Sequence, residues 1–297
     1  MKELLKECKL CPRNCGGNRL LGDKGYCKED ARIFVGRIAP HEWEEPCISG
    51  EKGSGAIFFA GCNMGCVFCQ NVALSRGQAG KEYSIEQLAE ECIRLQDMGC
   101  HNINLVTPSH YVVQIVEMLK RAKKKGLHIP VVYNTSSYEK VESLRLLEGL
   151  VDIYLPDFKY IRSESAKKYS KAEDYPQIAK RALEEMIRQV GTPVFEKNMM
   201  KRGVIVRHLV LPDNTQESKE IMRFLHSTYG NEIFISIMNQ YTPYGDIKEY
   251  EELQRTLTVE EYDEVVDYAI DIGIEQGFIQ EGETAKESFI PEFYLNE

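Results

Sequence analysis

The chain has 297 residues, of which 43% are hydrophobic, and its formal net charge at pH 7 is −9. This length suits one large α/β domain or two ordinary ones with a substantial apolar core. The acidic balance argues against a nucleic-acid partner, no apolar run approaches the roughly 20 residues of a membrane span, and the charged start Met1–Glu7 is unlike a signal peptide. We therefore expect a cytoplasmic protein without membrane contact.

Residues 1–50 differ from the rest of the chain in composition, because they hold five of the ten cysteines among glycines and charges. In a reducing cytosol, cysteines at short spacings are more often metal ligands than disulfide partners. Four of them follow a C-x2-C-x3-C-x11-C pattern, which supplies the thiolates of a closed metal site. They are Cys8, Cys11, Cys15 and Cys27. Spacing alone leaves zinc and a 4Fe-4S cluster as alternatives.

An acidic run, His41–Glu45, and a fifth cysteine, Cys47, complete this segment. The acidic run is interpreted as solvated charge in preference to a surface for a cationic substrate. The sequence allows three roles for Cys47: a fifth metal ligand, a thiol that faces a substrate, or a buried core residue.

A second cysteine run follows the first predicted strand, Ala56–Ala60, directly. Its members are Cys62, Cys66 and Cys69, in a C-x3-C-x2-C pattern. Three thiolates within eight residues can ligate a cubane iron-sulfur cluster, which normally takes four cysteines. An open coordination position is typical of catalytic metal sites, whereas structural sites are closed. The triplet therefore predicts a catalytic metal centre, with a zinc site as the weaker alternative.

From residue 56 onward, strand-like and helix-like segments alternate, which favours a parallel sheet with crossover helices. The six predicted strands are Ala56–Ala60, Asn102–Val106, Ile129–Tyr133, Ile153–Pro156, Val204–Leu211 and Phe234–Met238. Because a closed barrel has eight strands, the prediction is an α/β fold, a partial (β/α)6 TIM-like barrel of parallel strands with a small Cys-rich N-terminal extension. The predicted division is an extension over 1–50, the barrel over 51–245, and a C-terminal helix and tail over 246–297.

Local sequence also predicts where helices begin. Ser84 with Gln87 and Thr258 with Glu261 have the spacing of capping boxes. A longer helix is predicted from about Tyr175 to Val190. Cys92 lies on the apolar face of the first of these helices, so we expect it in the core, and we expect Cys100 to be buried.

Polar residues follow five of the six predicted strands and lie within the fifth strand of the chain, and ligands of α/β sheets bind beyond the carboxyl ends of strands. After the cysteine triplet, the groups are Thr107-Pro108-Ser109-His110, Asn134-Thr135-Ser136, Asp157-Phe158-Lys159, Arg207-His208 and Asn239-Gln240-Tyr241. Their convergence predicts a pocket for a zwitterionic, hydrogen-bonding ligand near the metal. Taken alone, Asp157 and Lys159 could equally form a surface ion pair. Arg207 and His208 alternate along a strand, so at least one should face a helix layer.

The cysteine triplet, with the aromatic Phe68 before its last member, resembles the radical S-adenosylmethionine (SAM) superfamily over roughly residues 50–245. The runs Gly61–Asn71 and Tyr154–Lys159 resemble the group related to the pyruvate formate-lyase activating enzyme. The run Glu45–Gly50 is similar to an uncharacterised branch of that group.

The resemblance implies that Cys62, Cys66 and Cys69 hold a 4Fe-4S cluster whose open iron is chelated by SAM. Reductive cleavage of SAM would give a 5'-deoxyadenosyl radical that abstracts hydrogen. It implies a low-potential electron donor, a flavodoxin or ferredoxin. The SAM-binding residues that it implies are Phe68, Thr107, Pro108, Ser109, Asn134, Ser136, Asp157, Lys159, Arg207, Asn239 and Gln240. Where the family often has Gly-Gly-Glu-Pro, this chain has Thr107–His110, so recognition of the SAM ammonium falls to hydroxyls or backbone carbonyls.

Three functions follow as hypotheses. The first is activation of a glycyl-radical enzyme, which needs a cleft that is open at the side of the barrel to admit a protein loop. The second is radical modification of a small molecule or a peptide side chain, for which residues 1–50 or 274–297 should close the cleft. The third is a non-catalytic metal-binding protein.

Overall fold

The structure, a computed structural model, describes residues 2–280 and 293–294. Its strands are β1 (Ile33–His41), β2 (Ser54–Phe59), β3 (Lys81–Tyr83), β4 (Ile103–Val106), β5 (Val131–Thr135), β6 (Ile153–Pro156), β7 (Val194–Glu196), β8 (Met199–Leu209), β9 (Phe234–Met238) and β10 (Gly277–Ile279). The order across the sheet is β10-β9-β8-β6-β5-β4-β2-β1-β3, and β7 pairs with β8 at one end.

The helices lie between these strands. They are α1 (Pro46–Ser49), α2 (Val72–Ser75), α3 (Ile85–Asp97), α4 (Val112–Lys124), α5 (Val141–Arg145), α6 (Ser163–Ser170), α7 (Tyr175–Val190), α8 (Thr215–Tyr229) and α9 (Val259–Asp271). Short 3-10 turns occupy Lys2–Leu5, Arg19–Leu21, Ser109–Tyr111, Gly230–Glu232 and Glu251–Gln254. Within the described ranges, no helix combines the length and the apolar character that crossing a lipid bilayer requires.

The six predicted strands correspond to β2, β4, β5, β6, β8 and β9, and neighbours among them pair in parallel. The prediction of a partial barrel is therefore confirmed. β10 extends the parallel run beyond β9, while β1 pairs antiparallel with β2 and β3 antiparallel with β1. Parallel strands joined by crossover helices bring all their carboxyl ends to one edge of the sheet, which is where a site can assemble.

The segment before β2 belongs partly to the sheet. β1 is nine residues long and pairs with β2 over most of its length, although the sequence before residue 50 shows little periodicity. α1 then packs Cys47 and Ile48 against Val132 and Leu155. Because Val131 and Tyr133 pack with the long helices, Val132 faces the opposite, concave side of the sheet. Cys47 is therefore a buried residue of the barrel interior, 5% exposed.

Helix starts and core positions follow the sequence closely. Both predicted capping boxes are present, at Ser84 and Thr258, and α7 has the bounds that were predicted. Cys92 and Cys100 are buried, as expected. The helices α3, α7 and α9 hold the strand ends in place, and none of their side chains lines the cavity at those strand ends.

Candidate functional site

A cavity of about 470 Å³ opens at the carboxyl ends of the parallel strands. Its lining combines residues that follow β2, β4, β5 and β6 with residues near the ends of β8 and β9. The predicted site residues that line it are Cys62, Cys66, Cys69, Thr107, Asn134, Ser136, Asp157, Lys159, Arg207 and Gln240. The sheet topology thus brings together ten side chains that are spread over 179 positions of sequence, from 62 to 240.

The cysteine triplet forms one wall of the cavity on the loop after β2. Gly61 starts this loop with a φ of +82°, a conformation that favours glycine, and a Cβ there would come within 2.5 Å of the Cys27 carbonyl oxygen. The Met64 amide donates to the Cys62 sulfur at 3.3 Å, and the Ser170 hydroxyl donates to the Cys66 sulfur at 3.1 Å. Such donors suit thiolate sulfurs, the form in which cysteine binds a metal.

Burial, together with the neighbouring thiols of Cys66 and Cys69, raises the pKa of Cys62 to about 12. The pKa of Cys69 is raised as well, again chiefly by burial. A bound cation inverts this preference, because coordination deprotonates a thiol outright. The buried thiols of Cys62 and Cys69 are therefore suited to a metal centre and unsuited to remaining charged without one.

No three His, Cys, Asp or Glu side chains within residues 2–280 and 293–294 are grouped closely enough to hold one metal ion as they stand. A cubane cluster places a separate iron at each thiolate, so its cysteines lie further apart than the ligands of a single ion. Cys62, Cys66 and Cys69 line one cavity together, an arrangement that suits a cluster with one iron at each thiolate.

Opposite the thiols, a buried network of charges joins three strand ends. Lys159 donates to Asp157 at 2.7 Å, and Arg207 donates to the other oxygen of Asp157 at 2.9 Å. Arg207 also donates to the Asn134 side-chain oxygen at 2.7 Å. Burial acts to raise the pKa of Asp157, but the two cations outweigh it and hold that pKa below its usual value. The alternative of a surface ion pair is excluded, because the Asp157 and Lys159 side chains are only 18% and 19% exposed.

Glu44 is a site residue that the sequence interpretation missed. The acidic run was expected to be solvated, yet the Glu44 side chain is 7% exposed and pairs with Arg207 at 2.9 Å. Asn104 and Asn134 donate to its second oxygen at 2.9 and 3.3 Å. The neighbouring Glu45 is also buried, and burial raises its pKa. An acidic residue in a loop gives no signal of burial in the sequence. Glu44 lies in the loop between β1 and β2, and the pairing of these two strands directs that loop into the barrel.

Thr107, directly after β4, has a φ of +57°, and its amide donates to the Asn134 carbonyl at 2.9 Å. A β-branched residue in the left-handed region is a genuine conformational outlier, and such strain concentrates at functional sites. The outlier lies on the cavity wall, at the position where the Gly-Gly-Glu run of the resembling family would begin.

Four of the predicted SAM-binding residues lie outside the cavity lining: Phe68, Pro108, Ser109 and Asn239. Phe68 packs against Tyr169 and Tyr241 in the core. The Ser109 hydroxyl donates to Glu139 and is therefore not aimed at the cavity. Asn239 bonds to Gln280 through its backbone amide at 2.8 Å. His208 faces the helix layer, where Ser218 of α8 lies 2.9 Å from its ring, as the alternation with Arg207 predicts.

Four N-terminal cysteines surround a separate, smaller cavity of about 20 Å³. They are Cys8, Cys11, Cys15 and Cys27. The other residues of its lining are Leu10, Gly17, Arg19, Asp23, Gly25 and His110, and none of them lines the larger cavity.

Comparison with known proteins gives a consistent assignment. The model of the Radical SAM superfamily matches residues 56–225. An uncharacterized protein of Methanocaldococcus jannaschii is 31% identical over 278 residues, which are 90% of this chain and 75% of that protein. The pyruvate formate-lyase-activating enzyme of Clostridium pasteurianum is 25% identical over 205 residues, 67% of this chain and 78% of the enzyme.

Two solved structures share the fold at 12% identity and a TM-score of 0.51. Streptococcus suis SuiB bound to S-adenosylmethionine matches 75% of this chain, and the FeFe-hydrogenase maturase HydG from Carboxydothermus hydrogenoformans matches 79%. This chain spans 49% and 59% of their respective lengths. Family match, fold and the thiol-lined cavity agree: the chain belongs to the radical SAM superfamily, whose cofactors are a 4Fe-4S cluster and SAM.

Proposed function

We propose that this protein is a radical SAM enzyme whose cluster is held by Cys62, Cys66 and Cys69 and whose SAM occupies the cavity of about 470 Å³. When bound, cluster and SAM supply a 5'-deoxyadenosyl radical after one-electron reduction. The observation that carries this proposal is that the three thiols and the Asp157–Lys159–Arg207 network line the same cavity.

The charge network would orient SAM through its zwitterionic methionine end. The Lys159 ammonium has three donors, of which one goes to Asp157, so donors remain for an incoming carboxylate. Arg207 donates hydrogen bonds to three partners, so its side chain would form a rigid part of the binding surface. Asn134 and Ser136 line the same cavity. The strand end at Thr107 carries no acidic side chain, but Glu44 supplies a buried carboxylate to the same cavity.

The shape of the cavity favours a small molecule or a single peptide side chain as the substrate. His41–Pro46 on one side and Phe278–Gln280 on the other both line the cavity. The first belongs to residues 1–50 and the second to residues 274–297, the two segments that should cover the cleft for a small substrate. A loop of a partner protein would need to displace one of them.

Activation of a glycyl-radical enzyme is the second candidate. It is supported by the relatives named pyruvate formate-lyase-activating enzyme, which match 56% to 67% of this chain. Both candidates share the radical chemistry and differ only in what reaches the cavity.

An anaerobic assay distinguishes them. With SAM and a low-potential reductant, the protein should release 5'-deoxyadenosine, and Cys62→Ser should abolish the release while Cys100→Ser, a matched change in the core, should not. Deuterium-labelled small molecules and peptides should transfer label into 5'-deoxyadenosine. Transfer from the glycine of a glycyl-radical enzyme, with none from small molecules or side chains, would reverse the preference stated here. No release of 5'-deoxyadenosine under any condition would contradict the enzymatic proposal as a whole.

A further inference from the structure

The four N-terminal cysteines are brought together by the backbone of a segment that has almost no apolar core of its own. The Cys8 amide donates to the Gly17 carbonyl, and the Gly16 amide donates to the Cys8 carbonyl, both at 2.9 Å, which places Cys8 beside Cys15. The Tyr26 amide donates to the Cys15 sulfur at 3.2 Å, and this brings the adjacent Cys27 to the same place. Amide donation to a sulfur is an interaction that favours a thiolate.

The donor set of this space is compatible with a cluster. Four cysteines line a volume of about 20 Å³, and a cubane cluster places one iron at each of four thiolates. Zinc has no redox chemistry, so only a cluster would give a redox use to a site that contacts the loop of the Cys62 triplet.

A buried cation, the Arg19 guanidinium, lies beside the N-terminal cysteines and would favour a negatively charged metal centre there. Arg19 is 2% exposed, and its guanidinium lines the cavity while donating to the Asp30 carbonyl at 3.0 Å. Asp23 also lines the space, so this buried cation offsets part of the negative charge that the thiolates and the carboxylate bring.

The small cavity among the N-terminal cysteines lies between the protein surface and the loop of the Cys62 triplet. Cys15 is exposed, whereas Cys27 is buried and its carbonyl lies against Gly61, the residue before Cys62. Arg13, two residues after Cys11, donates to the carbonyls of Asn63 and Met64 at 2.9 and 3.0 Å. One end of the site is therefore accessible to a partner, and the other contacts the loop that carries the catalytic cysteines.

We propose that Cys8, Cys11, Cys15 and Cys27 ligate a second 4Fe-4S cluster, closed to substrate, through which electrons enter the enzyme. The inference builds on the proposed function, because it assumes a cluster at the Cys62 triplet as the acceptor. A reduced low-potential donor, a flavin or iron-sulfur protein, would lose one electron to the N-terminal cluster, which would pass that electron on and return to its oxidised state. No bond is made or broken in this transfer, and no proton is required.

Metal content tests the identity of the site. After anaerobic reconstitution with iron and sulfide, the full chain should hold about eight irons, at four per cluster. The triple variant Cys62→Ser/Cys66→Ser/Cys69→Ser should keep about four, with an electron paramagnetic resonance signal that SAM does not alter. The quadruple variant at Cys8, Cys11, Cys15 and Cys27 should also keep about four, with a signal that SAM does alter. The matched control Cys92→Ser/Cys100→Ser should keep about eight.

The outcomes separate this inference from the proposed function. One zinc and about four irons in the wild-type protein, with zinc alone in the triple variant, would overturn the second cluster. About four irons in both the wild-type protein and the triple variant, with none in the quadruple variant, would instead overturn the assignment of the Cys62 triplet and leave the N-terminal cluster standing.

Reduction kinetics test the electron path. In Cys15→Ser, reduction of the SAM-responsive cluster by reduced flavodoxin should slow at least tenfold, whereas reduction by titanium(III) citrate, which is small enough to reach the large cavity, should keep its rate. Equal rates with flavodoxin in the wild-type protein and in Cys15→Ser, after iron analysis has verified loss of the N-terminal cluster, would refute the electron path. Lys9→Gln, an exposed change in the same segment, should leave both rates unchanged.

Discussion

At the scale of single residues, the site is organised by charges that burial forces into pairs. Arg207 is shared by Asp157, Glu44 and Asn134, so its guanidinium has a defined orientation. Asp157 was predicted from its strand end, because such ends meet at one edge of a parallel sheet. Glu44 was not predicted, because its partner Arg207 lies 163 positions away and only the tertiary structure joins them.

Glu44→Gln should weaken the apo protein. The substitution keeps the shape of the side chain but leaves a buried guanidinium with one carboxylate fewer, so the free energy of unfolding should fall by about 2 kcal/mol. Urea denaturation of the metal-free protein measures this free energy of unfolding. Glu42→Gln serves as the control, because Glu42 is an exposed member of the same run. Equal losses in both variants would show that the Glu44–Arg207 pair does not stabilise the fold.

Glu139 should make the stability of the fold depend on pH. Burial raises its pKa to about 7 even though Ser109 and Thr135 donate to it. Between the ordinary carboxyl pKa and pH 7, the folded protein holds a proton that the unfolded chain releases, so the free energy of unfolding should fall as pH rises. From pH 5.5 to 7.5 the fall should be about 2 kcal/mol.

The measurement compares wild type with Glu139→Gln by urea denaturation at both pH values. The variant cannot titrate, so its unfolding free energy should lack this part of the fall, and the difference between the two proteins isolates Glu139. Parallel changes in both proteins would assign the pH dependence to other groups.

At the scale of elements, local sequence determined helix starts well because capping is a local interaction. At Thr258, the hydroxyl accepts from the Glu261 amide at 3.2 Å, and the Glu261 carboxylate accepts from the Thr258 amide at 3.0 Å. Strand β1 was missed for the opposite reason. Its alternation is weak, and it is a strand because β2 and β3 supply backbone partners on both sides.

Thr258→Ala should destabilise α9 by about 1 kcal/mol, because it removes one of the two reciprocal bonds of the capping box. Chemical denaturation should show this as a lower unfolding midpoint with an unchanged slope. Thr256→Ala is the matched control, because Thr256 is exposed and lies just before the cap. A loss of similar size in both variants would mean that removal of a threonine side chain before α9, and not loss of the cap, is responsible.

At the scale of the whole molecule, one arginine of the N-terminal segment contacts several parts of the barrel at once. The Arg13 guanidinium donates to the Asn63 carbonyl at 2.9 Å, the Ser170 carbonyl at 2.9 Å and the Lys171 carbonyl at 2.5 Å. Its carbon lies 3.8 Å from the centre of the Tyr26 ring, a cation–π distance. A single side chain therefore connects the N-terminal cysteines, the loop of the Cys62 triplet and the end of α6.

Arg13→Gln should loosen this connection without unfolding the barrel. Amide hydrogen exchange should become at least tenfold faster in residues 8–27 and in the loop 61–66, while α3 and α4 keep their protection, because local opening depends on local contacts. Lys9→Gln, an exposed change in the same segment, should leave the exchange unchanged. Uniformly faster exchange in Arg13→Gln would indicate global destabilisation and contradict the local role.

Local patterns in the sequence were enough to predict the six parallel strands, the helix caps, both cysteine patterns and most of the strand-end residues of the candidate site. These features follow from periodicity, local hydrogen bonding and ligand spacing, all of which short stretches of chain contain. The burial of Glu44 against Arg207, the packing of Phe68 and Ser109 outside the cavity, and the contact of Cys27 with Gly61 depend on the folded chain. These are contacts between distant segments, and their geometry depends on how the sheet curves and on which segments fill its concave face, neither of which a local pattern encodes.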